Sequence, residues 1–187
     1  MKLVLISPEN QFEDEHAIVN RWAEEHEFWF HIRKPGWDKE KLDKYIELLS
    51  PTVKEKSVVH SNAYFGPMLV KEWGLKGWHG AESKHSQSVH NQAELLEAGT
   101  CEYVLCSPLF DSISKDEYEA NETLSHMPDR NPNKIPLIAL GGITGEKVFI
   151  CKRWRFSGVA AFGAIWKEES KVGREKAFIS LVKACKR

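Results

Sequence analysis

Short, unbroken apolar runs recur along the chain, and each is followed by polar or Gly/Pro residues and then by an amphipathic stretch. The runs fall at residues 3–6, 28–32, 58–60, 103–106, 137–140 and 158–162, and the more polar segments 77–79 and 86–89 are expected as the fourth and fifth strands of the same series. Runs this short lack the one-sided alternation of a half-exposed strand. They fit strands covered on both faces, which are parallel and joined by crossover helices. The intervening stretches have helical spacing. Ile18, Val19, Trp22 and Ala23 share one face, and so do Leu42, Tyr45, Ile46 and Leu49 behind a cap at Asp38. A short helix over 68–73 stops at Gly74. Asn91 and Glu94 open a capping box for 93–98, which stops at Gly99. Thr144 is expected to cap the next helix, and Phe178, Leu181, Val182 and Cys185 line the last.

Eight strand–helix units fit a (β/α)8 barrel, and a doubly wound sheet gives the same periodicity. Spread over 187 residues, each unit has about 23, well under the share in a barrel of about 250. The shortage is local, because only six residues separate His79 from Ser86. The expectation is therefore an α/β fold: a compact TIM (β/α)8 barrel with the fourth helix missing or shortened. Residues 1–187 would form one domain.

Charge and cysteine content narrow the partners. With 26 Lys+Arg against 27 Asp+Glu the net charge is −1, which argues against a nucleic-acid surface. No run approaches the ~18 apolar residues of a membrane span, and the first run is too short for a secretory signal. Cys101, Cys106, Cys151 and Cys185 form no Cys-x-x-Cys and are expected as reduced core residues of a cytoplasmic protein.

In either fold ligands bind beyond the carboxyl ends of the strands. Those ends carry His31, Arg33 and Lys34; His60; His79 and then Glu82; His90; Ser107, Ser112, Ser114 and Lys115; Gly141-Gly142; and Gly163-Ala164. Small residues after the seventh and eighth strands let backbone N–H groups approach an anion, as in the phosphate sites of many barrels. Arg33, Lys34 and Lys115 add positive charge at the same mouth. Four histidines at four strand ends invite a metal reading, but no His-x-His or His-Glu-x-x-His spacing supports it. Rim hydrogen bonding is the expectation for most of them, with one as an acid/base. Among the seven Trp, Trp78 and Trp166 are the candidates to line a pocket for a flat ring, and core packing or a homo-oligomer contact accounts for the others.

Together these segments resemble the thiamine phosphate synthase/TenI family over nearly the whole chain. Phe30-His31-Ile32-Arg33-Lys34-Pro35 resembles its Gln-Leu-Arg-Glu-Lys segment, and Ser88-Val89-His90-Asn91 its Ser-Val-His-Ser. Tyr103-Val104-Leu105-Cys106-Ser107-Pro108-Leu109-Phe110 resembles Tyr-Val-Gly-Phe-Gly-Pro-Ile-Phe, and Ser112 to Lys115 the Thr-x-Thr-Lys that follows it. Ile135 to Ile143 resembles Ile-Pro-Val-Val-Ala-Ile-Gly-Gly-Ile, and Gly158 to Ile165 resembles Gly-Val-Ala-Val-Val-Ser-Ala-Ile. The resemblance implies one of two activities. The synthase joins an aminopyrimidine pyrophosphate to a thiazole phosphate with Mg²⁺, and the tautomerase aromatises a thiazole phosphate carboxylate without a metal.

The departures favour the tautomerase. The family's Asn-Asp after the third strand is His60-Ser61 here. The second acidic segment is Gly80-Ala81-Glu82-Ser83, which leaves Glu82 as the one metal ligand. The Lys of Arg-Glu-Lys falls on Pro35, beside Lys34. Catalytic roles then fall to His90, Lys115 and Arg33, and phosphate to Gly141, Gly142, Gly163 and Ala164. Substrate or pyrophosphate contacts fall to His31, Lys34, His60, Ser107 and Ser114. The competing expectations are the synthase, a non-catalytic phosphate-ligand barrel, and a sugar-phosphate epimerase or isomerase.

Overall fold

Strand alternation sorts the side chains into an inner and an outer set. The strands are β1 (Lys2–Ile6), β2 (Trp29–Ile32), β3 (Ser57–His60), β4 (Gly77–His79), β5 (Ser86–Val89), β6 (Tyr103–Cys106), β7 (Leu137–Ala139) and β8 (Gly158–Ala161). All neighbouring pairs are parallel, and β8 returns to β1, which closes the barrel. The computed structural model describes residues 1–113 and 119–187. Ser114 and Lys115, two of the expected site residues, lie outside them.

The outer set packs beneath α1 (Glu15–Glu25), α2 (Lys39–Glu47), α3 (Pro51–Lys56), α4 (Phe65–Trp73), α5 (Gln92–Glu97), a 3₁₀ helix (Glu122–Arg130), α6 (Val148–Arg153), α7 (Gly163–Trp166) and α8 (Lys171–Lys186). Local chemistry sets several of these ends. Asp38 accepts from the Lys41 amide at 2.9 Å, Asn91 accepts from the Glu94 amide at 3.0 Å, and Gly74 ends α4 at φ +63°. Thr144 does not cap the next helix. Its carbonyl closes a turn onto the Lys147 amide, and α6 starts only at Val148.

Between β4 and β5, residues 80–85 run through turns and bends. Ser83 holds them: its Oγ donates to the Trp78 carbonyl at 2.6 Å and accepts from the amides of His85 and Ser86. The Trp78 indole lies so close over Gly66 and Gly80 that a Cβ on either would stand 2.6–2.7 Å from it. Trp166 packs in tilted contacts against Phe12 and Trp22 and donates to the Ile6 carbonyl at 2.6 Å. Both indoles are packing residues, so the expectation that they line a ligand pocket is corrected. All four cysteines are buried and unpaired, as expected.

One ion pair is fully enclosed. The Lys34 ammonium lies 2.9 Å from both Glu15 carboxylate oxygens and donates to the Pro8 carbonyl at 2.7 Å. The Tyr45 hydroxyl also donates to Glu15. Both charged side chains are 0% exposed. Burial pushes the Glu15 carboxyl up and the Lys34 ammonium down, and their mutual attraction opposes both shifts.

Inside the barrel the inner set divides by side. Val4, Ile6, Tyr103, Leu105, Ile138 and Ala160 form an apolar cluster from β1, β6, β7 and β8. Opposite it stand His31, His60 and His79, on β2, β3 and β4, with Ser86 and Ser88 on β5. His31 bridges the two sides: its Nε2 pairs with the Tyr103 hydroxyl at 2.6 Å and its Nδ1 with His60 Nε2 at 3.0 Å. His79 pairs through Nδ1 with Ser86 Oγ at 2.8 Å and through Nε2 with Ser88 Oγ at 3.0 Å. Burial, reinforced by neighbouring positive charge, holds His31 and His60 well below the ordinary imidazole value and His79 at about 4.

Two outcomes follow. Glu15→Ala leaves the Lys34 ammonium buried without its counter-charge and should cost about 3–5 kcal/mol in urea unfolding; a loss under ~1 kcal/mol contradicts the pairing. The second concerns pH. His79 titrates near 4 folded and near its ordinary 6.5 unfolded, so the unfolded chain holds that proton more tightly. Its stabilising effect is complete above pH ~6.5 and is lost as pH falls from there toward 4, a change on the order of 3 kcal/mol. In chelator, the urea midpoint should fall between pH 7.5 and 5, and His79→Gln should flatten that slope.

Candidate active site

A cavity of about 270 Å³ opens at the carboxyl ends of the strands, and every strand or the loop after it contributes to its lining. Its floor holds His60, His79 and Ser88 on one side and Leu105 and Ala160 on the other. Its rim holds Glu9, Arg33, His90, Ser107, Ser112, Gly141, Gly142 and Gly163.

Arg33 is anchored by its backbone. Its amide donates to Ser7 Oγ at 2.8 Å, and Ser7 Oγ donates back to the Arg33 carbonyl at 3.2 Å. The guanidinium pairs with Glu9, so two opposite charges share this edge of the mouth.

The loop after β7 depends on two glycines in left-handed backbone. Gly141 has φ +100°, and a Cβ there would stand 2.8 Å from Pro108 Cα. Gly142 has φ +62°, and its Cβ would meet the Asp111 carbonyl at 2.2 Å. The loop therefore lies tightly against the loop after β6, with the Phe110 amide donating to the Gly141 carbonyl. The amides of Gly141 and Gly142 have no acceptor among the described residues, which leaves two donors at the cavity wall.

His90 stands just beyond β5, where the turn into α5 holds it. Its Nδ1 lies 2.9 Å from Glu94 Oε2, which also accepts from the His90 amide at 2.8 Å, while Asn91 Nδ2 donates to Glu94 Oε1 at 2.6 Å. Burial acts to raise the Glu94 carboxyl, but these hydrogen bonds outweigh it and hold the group below its usual range. In the neutral imidazole, an ionised Glu94 favours the proton on Nδ1, which leaves the lone pair on Nε2.

Among the expected site residues, Arg33, His60, His90, Ser107, Gly141, Gly142 and Gly163 come together around this cavity. The others do not. His31 is 0% exposed within the barrel, because Phe30 and Ile32 take the outward positions beside it. The Lys34 ammonium is enclosed by Glu15, Tyr45 and Pro8, since strand alternation turns it away from Arg33. Glu82 lies exposed in the turn at 80–85, off the cavity wall, so the expected metal-binding acid is not at the mouth. Ala164 lines an adjoining cavity that shares Ile113 and Gly163. Sequence reasoning passed over Ser88, Glu9 and the orienting role of Glu94; the capping-box spacing of Asn91 and Glu94 was the available signal for the last.

No protein-family model and no curated protein matches the chain. Solved structures do. A thiamine phosphate pyrophosphorylase from Bacteroides thetaiotaomicron superposes with TM-score 0.79 at 22% identity, covering 100% of this chain and 98% of its own. One from Pyrococcus furiosus gives TM-score 0.77 at 18% identity, over 99% and 95%. N-(5'-phosphoribosyl)anthranilate isomerase from Pyrococcus furiosus gives 0.57 at 17% identity, over 100% and 98%. At these identities the likeness is one of fold: this chain is a closed eight-stranded TIM barrel like that of the thiamine phosphate pyrophosphorylases.

Proposed function

We propose that this chain is an enzyme that binds a small phosphorylated metabolite at the carboxyl end of its barrel and moves a proton on it. The substrate we favour is a thiazole phosphate carboxylate, aromatised by tautomerisation. The observation that carries this reading is that the Glu94-paired His90 lines the same cavity as Gly141 and Gly142, whose amides have no acceptor among the described residues. An oriented imidazole and an anion-binding wall thus share one cavity.

In this reading the amides of Gly141 and Gly142, together with Gly163, hold the phosphate. Arg33, fixed through Ser7, faces the negative charge of the ring substituent. His90 takes the proton from the saturated ring carbon at Nε2 and returns it to the exocyclic carbon conjugated with the ring, which leaves the ring aromatic. Glu94 holds the ring orientation and stabilises the imidazolium that forms between the two transfers.

Mg²⁺, which the synthase activity would need, does not suit this donor set. Mg²⁺ prefers carboxylate and water oxygens, whereas the floor offers imidazole nitrogens and a hydroxyl. Glu9, the carboxylate at the rim, is paired with Arg33, and Glu82 lies off the cavity. No step is therefore drawn through Mg²⁺. The synthase remains the second reading, favoured by the retained Arg33 and by the superposition on two pyrophosphorylases.

Incubation with the thiazole phosphate carboxylate tautomer should give the aromatic product. His90→Gln should lower kcat by about 10²–10⁴. Arg33→Ala should act chiefly on KM. Thiamine phosphate formation from both synthase substrates with Mg²⁺, without tautomerisation, would reverse the two readings. Binding of the thiazole phosphate with neither turnover would make the barrel a ligand-binding protein.

A further inference from the structure

The mechanism above leaves three imidazoles of the barrel interior unused. His31, His60 and His79 sit on adjacent strands, and His60 and His79 are directly paired in the parallel register. One ring nitrogen from each lies within 4.8 Å of the other two. The closest pair, His31 Nδ1 and His60 Nε2, is 3.0 Å apart. A tetrahedral ion with M–N bonds of about 2.0–2.1 Å holds its donors about 3.3 Å apart. One edge of that tetrahedron is thus nearly in place; the longest separation has to close by about 1.5 Å at most, and the His60 and His79 rings, stacked at 4.2 Å between centroids, have to turn so that both lone pairs meet the ion.

The surroundings of the donors point the same way. A ligating imidazole usually donates its second N–H to a fixed acceptor, which sets the tautomer and the ring plane. His31 has the Tyr103 hydroxyl at 2.6 Å from Nε2, so Nδ1 is its inward nitrogen. His79 has Ser86 Oγ at 2.8 Å from Nδ1 and Ser88 Oγ at 3.0 Å from Nε2, so one ring nitrogen would exchange its hydroxyl for the ion while the other stays fixed. We propose that His31, His60 and His79 form a binding site for a divalent transition-metal ion of the Zn²⁺ type. Its fourth position opens into the cavity, where His60 and His79 are part of the lining. Three protein nitrogens and one open position is the arrangement of a metal that meets an exchangeable ligand. An oxygen or nitrogen of a molecule in the cavity can take that position.

The ligands come from β2, β3 and β4, so no short motif announces them. The site is also distinct from the carboxylate-held Mg²⁺ implied by the sequence resemblance, since imidazole selects the later first-row metals. It does not depend on the role given to His90.

The test is a titration of the chelator-stripped protein with Co²⁺, followed by displacement with Zn²⁺. The expected result is one equivalent per chain, with the intense visible absorption of tetrahedral Co²⁺, removed by one equivalent of Zn²⁺. His60→Gln and His79→Gln should lose this signal, and His126→Gln, on the exposed face of the 3₁₀ helix, should keep it. Tyr103→Phe preserves the shape of the interior and removes only the acceptor beside His31. It should weaken the metal about 10–100-fold, and it carries the test if the histidine variants do not fold. Absence of the tetrahedral signal would overturn the proposal. So would a signal unchanged in His60→Gln, His79→Gln or Tyr103→Phe. Because none of these readouts uses turnover, a failed tautomerase assay leaves the metal result standing.

Discussion

The two-residue period of a strand, imposed on a closed parallel barrel, is the constraint from which most of this protein follows. Closure gives every second side chain to the interior and every other one to the helices, and a slip by one residue would exchange them. On β2 the result is that Phe30 and Ile32 join the outer core while His31 enters the barrel. On β6 it sends Val104 and Cys106 outward and brings Tyr103 and Leu105 inward. The hydrogen bond between His31 and Tyr103 exists because both strands obey the same parity across the barrel.

The inner set is unusual in being divided rather than uniformly aliphatic. Branched aliphatic residues fill many barrel interiors in layers. Here that filling lies mainly on the side formed by β1 and β6–β8, while β2–β5 carry imidazoles and hydroxyls beside Val58 of β3. Polar atoms in such a place are costly unless each finds a partner. The pairs His31–Tyr103, His31–His60, His79–Ser86 and His79–Ser88 supply those partners. The three imidazoles remain neutral because the enclosure disfavours their charge.

The barrel could be anticipated from the chain because most strands announce themselves as apolar runs bounded by turn residues, and each expected strand matches one of the structure to within one residue at either end. Helix ends were legible where a side chain makes them, as at Asp38 and Asn91, and misjudged at Thr144, where a carbonyl turn replaces a side-chain cap. The rim was legible in part, because residues just past a strand must lie near the mouth. What sequence could not settle was direction. Lys34 follows Arg33 immediately, yet the two side chains leave the backbone on opposite sides, one to Glu15 and one to the cavity. The convergence of His31, His60 and His79 was hidden for a related reason. Ligands drawn from three strands have no characteristic spacing, and only closure of the barrel brings them together.

The enclosed Lys34–Glu15 pair also bears on the residue beside it. It fastens the segment after β2 to α1, while Ser7 grips both the amide and the carbonyl of Arg33 from β1's end. The backbone carrying that guanidinium is thus immobilised when the chain folds. A ligand arriving at the mouth has only the side-chain torsions of Arg33 left to order, and the entropy cost of association is reduced accordingly. A lysine turned away from this cavity would in this way favour the ligand proposed above, through the stiffness it gives to its neighbour.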